Sequence, residues 1–198
     1  MNEIPFMKRQ PTLLFALIVL VCSFAYGQTN QPAERFTANA VSLSPEYGTG
    51  QRIVEITVDR WSANAEREQL VAALQQKGSD ELLKQLQKTK PVGRIRTPDS
   101  LGYDLHYADQ QRDADGGRTI VIATDRPIGF WEATNRPRSI DYPFTVIQMK
   151  LDRDGTGKGT LSYATRITAK NNVIELEDFA SQPIMLNNIK SEPKNATK

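Results

Sequence analysis

Histidine and cysteine are almost missing from this chain: its 198 residues contain one of each. His106 and Cys22 cannot between them supply the several Cys/His ligands of a zinc site, a disulfide framework or a c-type haem attachment. A surplus of one charge sign is missing too. Lys+Arg number 25 against 23 Asp+Glu, a formal net charge of +2, whereas a dedicated nucleic-acid binder carries a marked basic excess. Aromatic residues make up only 8% of the chain. The apolar run Leu13–Cys22 falls short of the roughly 20 residues that a spanning helix needs. There is no G-x-S-x-G nucleophile elbow. Gly157-Lys158-Gly159-Thr160 lacks the upstream glycine and the hydroxyl residue of a phosphate loop. Asp152-Arg153-Asp154-Gly155 opens like a calcium loop, but Tyr163 stands where the twelfth, acidic ligand belongs. Neither a cofactor nor a metal is expected.

What is present begins with an address. Lys8 and Arg9 precede the apolar run, and Ala25-Tyr26-Gly27 supplies small residues at the −3 and −1 positions of a signal-peptidase site. Residues 1–27 therefore read as a signal peptide, cleaved before Gln28. Val21 occupies the position where a lipoprotein signal has Gly or Ala, which argues against a lipid on Cys22. Cleavage leaves a cysteine-free chain with no stable membrane anchor, periplasmic or secreted, whose stability must come from its own core. At this length a domain buries about 70% of its unfolded surface, which is enough.

Residues 28–33 read as a flexible lead, 34–190 as a single β-rich domain and 191–198 as a disordered tail without apolar periodicity. Strand patterns dominate the domain. In Arg52–Arg60 the residues Val54, Ile56 and Val58 share one apolar face. The period then changes. Ser62-Ala63-Asn64 offers helix caps, and Leu70, Val71 and Leu74 form one stripe up to Gly78. Ser79-Asp80 opens a second helix, with Leu82, Leu83 and Leu86 inward, ending before Pro91. Further strands are predicted at Val92–Thr97, Leu101–Ala108, Arg118–Thr124, Phe144–Asp152, Lys158–Lys170, Val173–Glu177 and Ile184–Ile189. Short Gly-containing turns imply antiparallel pairing, since parallel strands need long crossovers. The predicted fold class is α+β: a curved antiparallel sheet or partial β-barrel of about eight strands with an inserted helical hairpin.

Residues suited to recognition concentrate in 124–143. Arg126, Arg136 and Arg138 offer bidentate donors, Trp131 and Tyr142 rigid contact area, and Glu132 and Asp141 carboxylates. These seven are the candidate ligand- or partner-binding residues; a sheet corner fixed by Arg–Asp pairs and a buried Trp131 is the structural alternative. Arg94 and Arg96, two apart on a strand, share a face that extends an anion-attracting patch or is simply solvated. Alternation also places Asp104 beside His106, on a solvated strand face unless the pair works as an acid–base couple.

Thr124–Ala133, Asp141–Thr145 and Glu175–Pro183 resemble segments of a group of uncharacterised exported bacterial proteins, and the likeness covers most of the chain after residue 27. The resemblance implies export and one compact domain, and carries no activity or catalytic residues with it. The functional expectation is an exported, non-catalytic binding module for a small ligand or peptide. An envelope accessory or scaffold protein, binding another protein through 124–143, is the alternative. A hydrolase built on Asp104 and His106, or on Glu132 and Asp141, is the third class.

Overall fold

Among the described residues, period-two alternation becomes ten antiparallel strands and the helical-period segment becomes a helix pair, giving an α+β fold. The computed structural model describes residues 31–43, 49–128, 141–171, 173–179 and 182–194. The leader, Cys22, the 129–140 part of the candidate segment and the last four residues lie outside them. The chain runs β1 (Glu34–Ser42), β2 (Gly50–Val58), α1 (Asn64–Lys77), α2 (Ser79–Lys88) and β3 (Gly93–Arg96). It continues through β4 (Tyr103–Leu105), β5 (Tyr107–Arg112), β6 (Arg118–Thr124) and β7 (Phe144–Leu151). The last three strands are β8 (Thr156–Lys170), β9 (Val173–Asp178) and β10 (Ile184–Pro193).

The strand order is β4-β3-β2-β1-β10-β8-β7-β6-β5, with β9 branching from β8. The two ends of that order, β4 and β5, are consecutive in the chain and separated only by His106. Leu101–Ala108, predicted as one strand, therefore divides between two neighbours. Its first half pairs with β3 and its second with β6. At the junction His106 N–H donates to Ala123 O (3.0 Å) and the Thr124 hydroxyl to Asp104 O (2.7 Å), which nearly closes the sheet into a barrel. Near closure covers most of the edges that would otherwise invite pairing with other chains, leaving that of β9 open.

Side chains fill the barrel. Phe36, Ile56, Ile95, Ile120, Leu151 and Leu186 are each 0% exposed and belong to one contiguous core. Val54, Ile56 and Val58 point into it together, as their spacing predicts. Gly116 and Gly155 hold φ of +85° and +78° in the β5–β6 and β7–β8 turns, a region that side-chain-bearing residues enter only with strain.

The helices pack on the outside of the barrel. Leu70 and Leu74 of α1 and Leu82 and Leu86 of α2 form a second core with Phe144, Val146 and Ile167. This explains why the start of β7 is buried on both faces: Ile147, Met149 and Leu151 look inward, while Phe144 and Val146 lie under the helices. Of the three cap candidates, Ala63 takes the N-cap place. Glu66 compensates for its lack of a capping side chain by accepting Ala63 N–H (2.8 Å) and Arg60 Nη1 (2.9 Å). The hydrogen bond from Arg60 is the main reason the Glu66 carboxyl sits below its usual pKa. Ser62 is used elsewhere, its Oγ accepting Ala108 N–H (3.1 Å).

The tail expectation is corrected in part. β10 continues through Pro193, with Phe36 opposite Ser191 and Glu34 opposite Pro193. Main-chain pairing leaves no hydrophobic signature there, and Ser191 adds side-chain bonds to Glu34 and to Arg118. The lead is tied at its inner end: Trp61 Nε1 donates to Pro32 O (3.2 Å) and Lys194 N–H to Ala33 O (3.0 Å).

Candidate functional site

Of the seven residues singled out in 124–143, Trp131, Glu132, Arg136 and Arg138 lie outside the described residues. The other three divide between two places. Arg126 is exposed and donates through Nε to Asp125 Oδ1 (3.2 Å), an interaction that raises the guanidinium pKa further. Asp141 and Tyr142 instead join the β8–β9 hairpin. Arg166 of β8 donates through Nε to Asp141 O (3.1 Å), and its guanidinium lies 4.9 Å from the Tyr142 ring centroid. Tyr142 donates its hydroxyl to Glu177 Oε1 (2.6 Å), which raises the phenol pKa, and its ring meets Phe179 edge-on at 5.5 Å.

The anion patch is neutralised by its cross-strand neighbours. Arg94 pairs with Asp104 (3.1 Å) and Arg96 with Glu55 (2.6 Å). With Asp104 committed to Arg94, His106 does not share a solvated face with it. The strand switch breaks the alternation and buries the imidazole against the end of α2, leaving His106 8% exposed. Its Nδ1 lies 2.9 Å from Thr89 O and its Nε2 3.5 Å from Asp125 Oδ1. These contacts fasten the end of α2 and the β6 exit to the closing strand. Sequence alternation missed this His–Asp pair because it assumes an unbroken strand.

Several recesses open among the described residues, one of about 540 Å³ beside Thr37, Ile53 and Lys190. Another, of about 470 Å³, opens at a barrel end beside Glu34, Gln110, Arg118 and Asp154. Arg118 is committed there, donating to both Glu34 and Gln110, and Asp154 accepts Thr156 N–H (2.9 Å). A further one is a groove of about 380 Å³ on the barrel's outer side. Leu70, Val71 and Leu74 of α1 form one wall, Val121 and Val146 the floor, and Ile174 and Leu176 of β9 reach it from the branch hairpin. Polar groups are confined to a few positions: Arg67, Asp109, Gln148 and the Tyr107 hydroxyl. Tyr107 donates to Asp109 Oδ2 (3.3 Å), and burial together with that carboxylate pushes its pKa well above the usual phenol value.

An apolar recess of several hundred Å³ with a few convergent polar groups is the form that small-ligand sites take. Sequence reading placed Leu70 and Leu74 in the core and did not connect them to β9. The available signal was β9 itself, where Ile174 and Leu176 alternate with Glu175 and Glu177 yet stay 48% and 42% exposed. No family model, curated protein or solved structure matches the chain. Among the described residues no cluster of three or more His, Cys, Asp or Glu is placed to hold a metal ion, and no helix is long and apolar enough to cross a membrane.

Proposed function

We propose that this protein is an exported, non-catalytic binding module that takes the apolar part of a small ligand or peptide into the groove between the helical hairpin and β9. One observation carries the reading: a recess lined mainly by Leu, Val and Ile side chains at the margin of the second core, beside a barrel interior that is filled. Its volume falls within the roughly 300–1,000 Å³ typical of such sites. Burial of apolar ligand surface supplies the affinity, at about 25 cal/mol per Å² before the costs of association. Arg67, Asp109 and Tyr107 then orient a polar end. Export rests on the Lys8–Gly27 pattern and on the resemblance of 124–133, 141–145 and 175–183 to exported bacterial proteins.

A neutral, environment-sensitive dye such as N-phenylnaphthylamine tests the groove. Its fluorescence should rise on binding, and Val71→Glu and Ile174→Glu should each weaken it about tenfold by placing a charge in the apolar lining. Absence of binding, or binding unchanged in both variants, would contradict the assignment.

A second reading, a scaffold that binds an envelope protein through 124–143, draws on the aromatic pair Tyr142–Phe179, whose Phe179 is 50% exposed. Pull-down from envelope extract with and without Phe179→Ala distinguishes it.

A further inference from the structure

β8 is longer than the barrel needs. It pairs with β7 up to Phe144 opposite Thr165, and beyond that point it carries β9 alone, from Asp178 opposite Thr165 to Val173 opposite Lys170. The far edge of β9 has no strand partner among the described residues. Val173 to Glu177 are all exposed. In a β-strand with one edge unpaired, main-chain N–H and C=O groups face outward and are satisfied only by water or by an added strand. Near closure leaves few such edges among the described residues: β9 presents one on its outer side, and the end of β8 one on the β7 side.

Its two faces differ chemically. Ile174 and Leu176 look into the groove, so Glu175 and Glu177 look away from it. The strand VIELED contains three acids and no base. Glu177 is engaged by Arg166 (3.7 Å) and by Tyr142, whereas Glu175 stands opposite Thr168 and makes no ion pair among the described residues.

We propose that the β9 edge accepts an extended segment of another protein in which apolar residues alternate with Lys or Arg. This rests on the reading of the groove as a binding site and names the class of ligand. An added strand lays one set of side chains beside Ile174 and Leu176, extending the apolar lining on the side of β9 away from β8. The alternate set lies on the opposite face beside Glu175, where a basic residue is favoured by opposite-charge pairing. The same charge disfavours a second copy of this chain. Antiparallel self-pairing centred on β9 sets Glu175 against Glu175, and like charges directly opposite one another destabilise a strand pair.

The test uses the full processed protein and three synthetic octapeptides: alternating valine and lysine, alternating valine and glutamate, and the valine–lysine composition in two blocks. The alternating valine–lysine peptide should bind at least tenfold more tightly than either of the others, and Glu175→Lys should weaken it at least tenfold. Leu176→Pro, which cannot offer an N–H to an added strand, should abolish binding. Glu175→Lys keeps the test valid if that variant misfolds. Dye binding measured in Glu175→Lys separates the two readings. Dye bound with no peptide preference overturns the strand-addition proposal alone, and loss of both dye and peptide binding in the unmodified protein overturns the groove as well. Equal binding of the lysine and glutamate peptides, or a dimer in sedimentation equilibrium that Glu175→Lys dissociates or strengthens, would also overturn it.

Discussion

Phe36→Ala should lower folding stability by about 4 kcal/mol, within the range for emptying an aromatic site in a packed core. Phe36 is 0% exposed, is the third residue of β1 and touches the barrel core from a strand that is paired on both sides. The barrel wall cannot collapse into the space without losing main-chain bonds to β2 or β10, so most of the cavity should persist. Arg118 also loses a partner, because its guanidinium lies 5.9 Å from the Phe36 ring centroid. Urea unfolding followed by far-UV circular dichroism reads the effect as a lower midpoint with an unchanged slope. Phe179→Ala is the matched control. That ring is 50% exposed, and its loss should change stability by about 0.5 kcal/mol or less. Equal shifts in the two variants would mean that β1 is not a central strand of the core.

Arg118→Met should cost about 2 kcal/mol, less than the roughly 3–5 kcal/mol for breaking a fully buried ion pair from one side, because this pair is only partly buried. The side chains of Arg118 and Glu34 are 24% and 13% exposed, so Glu34 would be left poorly hydrated. The pair lies at one barrel end, where β6 and the β1–β10 pair come together through Ser191 and Gln110. Removing both charges is the informative comparison. Glu34→Gln with Arg118→Met should recover at least about 1 kcal/mol relative to Arg118→Met alone, because no unpaired carboxylate remains. A double variant as unstable as the sum of its parts would show that the two side chains act independently.

Much of this architecture was legible in the sequence, because most of it obeys one rule. Val54, Ile56 and Val58 alternate cleanly since β2 faces the core on one side only, and Leu70, Leu74, Leu82 and Leu86 keep helical spacing for the same reason. Two features escaped because they arise from topology. The Leu101–Ala108 run reads as one strand, and nothing local reports that His106 is where it exchanges β3 for β6 and so buries its imidazole. Ser191–Pro193 reads as tail because its order comes from main-chain bonds to β1, which leave no hydrophobic pattern.

The candidate site was the least legible part. Attention to Arg and aromatic residues selected 124–143, where Arg126 proves to be held by Asp125, and Asp141 and Tyr142 by Arg166 and Glu177. The groove is assembled from aliphatic residues of α1, β6, β7 and β9, each unremarkable within its own segment. A surface built from residues so far apart in the chain is visible only after folding.

Methyl-detected NMR of the processed protein, labelled at Ile, Leu and Val and titrated with the neutral naphthylamine dye, tests the central claim most directly. The methyl signals of Leu70, Val71, Leu74, Ile174 and Leu176 should move with a single saturating isotherm, while those of Ile56, Ile95, Ile120 and Leu186 inside the barrel stay in place. Movement confined to the interior set, or no saturable movement at all, would contradict it.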